Sequence, residues 1–144
     1  MTTPSRVPFP HVVHAAHLIL YVSDQRASSV FYAHVFERQP DLDVPGMTEF
    51  RLTDGAVLGL MPTQGIRRLL GDALPDPSSA HGVPRAELYL LVDDAAAYHA
   101  RALLHGATEL SPMAPRDWGH DVAYSLDADG HVLAFANVAS RSTV

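Results

Sequence analysis

An α+β fold made of two copies of one strand–helix–strands module is what the sequence predicts, and three observations carry that prediction. The segment HLILYVSD (His17 to Asp24) returns seventy residues later as ELYLLVDD (Glu87 to Asp94), with Leu20/Leu90, Val22/Val92 and Asp24/Asp94 identical. Two later stretches, RLTDGAVLGLM and SLDADGHVLAFA, align in the same way and pair Leu52 with Leu126 and Gly59 with Ala134. Both halves also run in the same order, and order is what separates a repeat from two chance hairpins.

In the first half, HLILYV (His17 to Val22) is apolar and rich in strand formers, and Asp24 is placed to cap a helix reaching about Phe36. Near-helical spacing of Ala27, Val30, Phe31 and Val35 predicts the face turned to the sheet, with Gln25, Arg26, Ser28 and Ser29 outside. Pro40 to Gly46 reads as a turn. Strands at Met47 to Leu52 and Ala56 to Met61, joined at Thr53-Asp54-Gly55, form a hairpin. Thr63 to Val83, broken by Pro and Gly around the apolar Ile66 to Leu70, reads as a linker with one helical turn, either a lid or a patch for a second subunit.

The second half restarts with the strand Glu87 to Val92, an Asp93-Asp94 cap and the helix AAAYHARALLH, with Gly106 as its C′ residue. A strand near Thr108 to Ser111, a Pro-broken Pro112 to Pro115 and a hairpin from Asp121 to Val138, turning at Asp127 to Gly130, complete it. The reading is one domain over residues 1–144, with module one at about 14–62, a linker at 63–83 and module two at about 84–139.

Composition excludes several classes. A formal charge of -6, with ten scattered Lys and Arg, leaves no basic stripe to neutralise phosphates, so nucleic acid is not an expected partner. Cys is absent, so a thiolate nucleophile and sulfur-ligated metal are excluded. The first ten residues hold no apolar leader core and no run is long enough to span a bilayer, so a cytoplasmic protein with no membrane partner is the expectation.

The opening HLILYVSD with the helical FYAHVF, its restart ELYLLVDD, and above all the D-x-D-G turn and last strand of SLDADGHVLAFANV resemble the vicinal oxygen chelate superfamily of glyoxalases, bleomycin-resistance proteins and dioxygenases. The likeness runs from about His17 to Val138. It implies two βαβββ modules forming a curved mixed sheet around a cleft, assembly as a homodimer, and a divalent metal in many members. Its metal ligands come from the first residue of each opening strand and one residue of each closing strand. Those positions are His17 and Gly59 in module one, Glu87 and Ala134 in module two.

A catalytic metal needs three or four N or O donors, and Gly59 and Ala134 have none. The expectation is therefore no tightly bound cofactor and at most a divalent metal held weakly by His17 and Glu87, unless Glu49 or His120 swings in. With Leu18, Leu20 and Val22 packed under the helix, alternation along the strands points His17, Ile19 and Tyr21 into the cleft, together with Glu87, Tyr89 and Leu91, over a floor of Gly59 and Ala134 beside Met61. Such a floor suits a small apolar or aromatic ligand, with His17 and Glu87 as polar anchors that are either a structural pair or an acid–base pair. Trp118 and Arg116, in the loop PRDWGH, are further substrate-binding candidates. His99 and His105 read as exposed helix residues, and His131 as solvent-facing. Two functions follow: a small-molecule-binding protein that sequesters or acts on its ligand without a tight metal, or a metal-dependent glyoxalase-type lyase or ring-cleaving dioxygenase.

Overall fold

The computed structural model describes residues 12–139, so the first ten residues on which the leader argument rests lie outside it. The chain runs β1 (Ala16–Val22), α1 (Gln25–Phe36), β2 (Leu42–Val44), β3 (Met47–Thr53) and β4 (Ala56–Pro62). A connection carries α2 (Thr63–Leu70) and 3-10 turns at Gly71–Ala73 and Pro77–Ala80, before β5 (Glu87–Leu91), α3 (Ala95–Leu104), β6 (Thr108–Pro115), β7 (His120–Leu126) and β8 (Val132–Val138). Among the described residues no helix is long and apolar enough to cross a membrane.

Two four-stranded mixed sheets result, ordered β1-β4-β3-β2 and β5-β8-β7-β6. In each, the first strand pairs in parallel with the last, and the other neighbours are antiparallel. The sequence repeat is a repeat of register as well as topology: Ile19 lies opposite Gly59 in one sheet, and Tyr89 opposite Ala134 in the other. Both helices start as predicted, with the Asp24 carboxylate accepting from the Ala27 N–H and that of Asp94 from the Ala97 N–H.

Strand alternation sends Leu20, Val22, Phe50, Leu58 and Leu60 of module one, with Leu88, Leu133 and Phe135 of module two, into a single core. Tyr32 and Val35 of α1 and Ala95 and Ala102 of α3 fill its helical side. The modules are therefore joined through the faces that carry their helices. Polar clips reinforce the join: the buried Tyr32 hydroxyl donates to Asp127 Oδ2 at 2.6 Å, Asp129 Oδ1 accepts from the Ser23 N–H, and the His131 ring donates to the Tyr21 carbonyl. Gly130, at φ +88°, lies against the backbone of Gly82, where an added Cβ would stand 2.3 Å from the Gly82 oxygen.

Several local expectations are corrected. Pro40 to Gly46 is more than a turn, because Leu42–Val44 pairs with β3 as a short exposed edge strand. The buried face of α1 is rotated: Ser29, Tyr32 and Val35 are inside, while Val30 is exposed. Tyr32 decides that rotation, since its hydroxyl finds a buried acceptor in module two that a one-helix pattern cannot reveal. Strand β6 continues through Pro112 to Pro115 because it is a sheet edge, where a missing N–H costs no ladder bond, and its pairing with β7 shifts register twice. The Ile66 segment makes two helical turns instead of one. His99 is buried and bonded to Glu109 at 2.8 Å, and His131 is engaged rather than solvent-facing.

Candidate functional site

Opposite the helices each sheet presents an open face, and the predicted site residues divide between the two. On module one, His17, Ile19 and Tyr21 of β1 alternate with core residues, and β4 places Gly59 beside Ile19 and Met61 beside Tyr21. Glu49 of β3 pairs with Gly59, so its side chain shares this face and brings its carboxylate within 3.5 Å of His17 Nδ1. The carboxylate next to His17 is thus Glu49, two strands away, and not Glu87. Glu87 is exposed at the start of β5, paired with Val132 on the other sheet.

The open face of module two is aromatic. Tyr89 and Tyr124 flank Ala134 in one cross-strand row, and both pack on a small cluster of Val122, Ala134 and Ala136. The short connection from β6 to β7, closed by bonds from the Arg116 N–H to the His120 carbonyl and from the Gly119 N–H to the Arg116 carbonyl, lifts Trp118 over Tyr89. The Trp118 indole N–H donates to the Tyr89 hydroxyl oxygen at 2.8 Å, and that hydroxyl lies 2.6 Å from His120 Nδ1. Arg116 lies over the Tyr124 ring, 5.2 Å from its centroid, and donates to Ser111 Oγ and the Val122 carbonyl. Burial, and secondarily the Glu87 carboxylate, raise the Tyr124 phenol above its ordinary value while Arg116 pulls it the other way, so Tyr124 stays a hydrogen-bond donor through neutral pH.

A groove of about 570 Å³ separates the edges of β1 and β5. Of the predicted residues, His17 and Tyr89 border it, with Leu18, Phe36, Leu52, Leu90 and Tyr98 as its apolar wall and Arg38 and Arg51 also lining it. Tyr21, Gly59, Met61, Glu87, Arg116, Trp118 and Ala134 are not part of that lining.

The donor set decides what metal chemistry this chain can support. Module one offers two ligands, His17 and Glu49. An added Cβ at Gly59 would meet Ile19 Cγ1 at 3.1 Å and Met47 Sδ at 3.2 Å, so a longer side chain there requires both neighbours to shift, and Ala134 is fully buried. Two donors do not fit a tight catalytic centre within one chain. Asp127, Asp129 and His131 lie close enough to share an ion. Asp127 is already committed, though, accepting from Tyr32 and from the Asp129 and His131 N–H groups, and the trio acts as the clip between modules.

The family model for the Glyoxalase/Bleomycin resistance protein/Dioxygenase superfamily matches residues 14–135. The chain belongs to this superfamily. Solved structures of the same fold include a glyoxalase-related enzyme from Fulvimarina pelagi, 24% identical with a TM-score of 0.72, where the match covers 90% of this chain and 88% of that one. A glyoxalase/bleomycin resistance protein/dioxygenase family enzyme from Burkholderia phytofirmans is 23% identical with a TM-score of 0.71, over 85% of this chain and 97% of that one. A third, from Nocardioides, is 18% identical with a TM-score of 0.69, over 96% and 92%. No protein of curated function matches the chain. At these identities the superfamily likeness fixes the fold, and its chemistry must be argued from this chain's own side chains.

The pairing of His17 with Glu49 and the bonded set of Trp118, Tyr89 and His120 were only partly visible in the sequence. Alternation along β3 puts Glu49 on the open face, and that was the available signal. His120 is placed by the unbroken β7–β8 register, opposite Val138, and its approach to Tyr89 two strands away leaves no local mark in the sequence.

Proposed function

We propose that this superfamily member binds a small apolar or aromatic molecule, sequestering or transforming it without a tightly held metal. The observation that carries this reading is the half-buried aromatic surface that Tyr89 and Tyr124 form over Ala134, with Trp118 bonded to Tyr89 beside it. Aromatic walls with few, placed polar groups are what such ligands select. Trp118 is the single tryptophan and more than half exposed, so a ligand on this face changes its surroundings directly. Titrating the protein with a panel of bicyclic aromatics should quench or shift Trp118 emission in a saturable way; a flat response across the panel would remove the reading.

A second reading rests on the 3.5 Å approach of His17 to Glu49: a divalent-metal-dependent lyase or dioxygenase, with the missing donors supplied from a second copy of the chain. Homodimers are the commonest assembly, and the open faces expose Ile19, Leu91 and Val138 for one. Elemental analysis of protein purified without chelator, with light scattering for the assembly, tests it. Near-stoichiometric metal lost in His17→Ala and Glu49→Ala would favour this reading over the first.

A further inference from the structure

The seam between the modules has two ends related by the repeat, and they are filled unequally. One end is closed by Tyr32, Asp127 and His131, whose ring reaches the Tyr21 carbonyl. With the Asp caps aligned, Leu52 answering Leu126 and Leu58 answering Leu133, the same three positions at the other end are Ala102, Thr53 and Ala56. Two are alanines and the third carries only a short hydroxyl, so Leu91, which stands where Tyr21 does, has no counterpart of the His131 bond among the described residues. That end is where the groove of about 570 Å³ opens, with Thr53, Ala56 and Leu91 in its lining.

Its two walls differ in chemistry. Module two supplies only apolar and tyrosine side chains, while module one adds two cations, Arg38 and Arg51, to its own apolar residues. No Asp or Glu lines the groove. Only one of the cations is paired: Asp41 holds Arg38 at 2.5 Å and accepts from the Arg51 backbone N–H, and the Arg51 guanidinium has no ion pair or hydrogen bond among the described residues. An unpaired cation thus borders an apolar slot in which Leu18 and Leu91 are exposed.

We propose that this open end of the seam binds an amphipathic monocarboxylate, a small molecule with one anionic end and an apolar body. The Arg51 guanidinium takes the carboxylate through a charge-assisted bond that a neutral head group does not match. The apolar body covers the leucines left bare where the clip has no counterpart, and the volume lies within the roughly 300–1,000 Å³ of small-molecule sites. Neither Tyr124 nor Trp118 belongs to the lining, so this site is separate from the aromatic face and stands without it.

The test titrates octanoate and octan-1-ol, equal in length and different in charge, calorimetrically into the full chain, with light scattering for the assembly. Octanoate should bind about tenfold tighter, the value of one hydrogen bond to a charged group. Arg51→Gln should abolish that preference, and Leu91→Trp, which fills the slot from an exposed position, should weaken both ligands. Backbone amide signals should shift at Thr53, Ala56 and Leu91 on adding octanoate. Equal binding of the two probes, a preference that survives Arg51→Gln, or shifts confined to the Tyr124 face overturns the proposal. So does failure of both to bind: a monomer that takes neither has no site here, and a dimer that takes neither and separates in Leu91→Trp has a second copy as the occupant of the groove.

Discussion

Modules one and two share a backbone plan down to the pairing register, yet their central rows differ in every side chain. The first carries Ile19, Gly59 and Glu49 across the sheet; the second carries Tyr89, Ala134 and Tyr124. One row is narrow and ends in an imidazole–carboxylate pair, and the other is aromatic with a bonded indole, phenol and imidazole above it. A duplicated scaffold keeps the alternation that builds its shared core and leaves the opposite parity, which lies outside that core, free to diverge. The chemistry of this protein is accordingly unequal between its halves.

The largest effect should come from the turns that close the two modules. Gly130→Ala sets a Cβ into the Gly82 backbone at positive φ and is expected to cost at least about 3 kcal/mol in urea denaturation. Gly55→Ala, at φ +76° with its nearest neighbour 3.5 Å away, should cost only about 1 kcal/mol. Equal losses would show that the approach of linker to closing turn is not what distinguishes the two.

Next is the clip that joins the halves. Tyr32→Phe leaves Asp127 Oδ2 without its buried donor and should destabilise by about 1 to 3 kcal/mol at neutral pH. Burial first, and the Asp127 charge second, hold the Tyr32 phenol well above its ordinary value. The sign follows: the folded state keeps that proton longer than the unfolded chain, so the stabilisation is intact below about pH 10 and declines as pH rises beyond it. Alkaline denaturation midpoints should fall less steeply in the Phe variant than in the wild type; parallel curves would exclude Tyr32 as the source.

A smaller effect separates the two open faces. Trp118→Ala should weaken binding of an aromatic ligand about five- to tenfold, while the double variant His17→Ala/Glu49→Ala leaves it within about twofold. A reversed pattern would move the site to module one. The smallest concerns the helix ends. Glu37 closes α1 at φ +53°, where α3 is followed by Gly106 at φ +108°, so Glu37→Gly should raise stability by about 0.5 kcal/mol.

Topology was legible because its signals are local and doubled: two Asp caps, two apolar opening strands and two turns, each confirming the other. Face assignment was legible for the same reason, since alternation placed Leu20, Val22, Leu133 and Phe135 inside and His17, Tyr89 and Ala134 opposite. What escaped depended on partners distant in sequence. Tyr32 is buried because Asp127 receives its hydroxyl, and His17 neighbours Glu49 because β3 lies beside β4. Neither fact leaves a periodic mark. The expected proximity of His17 and Glu87 came from the internal repeat taken together with the family resemblance, and in the chain each belongs to its own sheet.

The outer margins of both sheets are poor templates for another chain. β2 offers only three residues, and β6 presents Pro112 and Pro115 together with two breaks in its ladder. Fibrillar stacking by strand addition is therefore obstructed at both of those rims. The remaining margins, β1 and β5, look onto the groove between the modules. Any orderly self-association of this protein is steered towards that groove and the open faces, the same surfaces on which a small guest would sit.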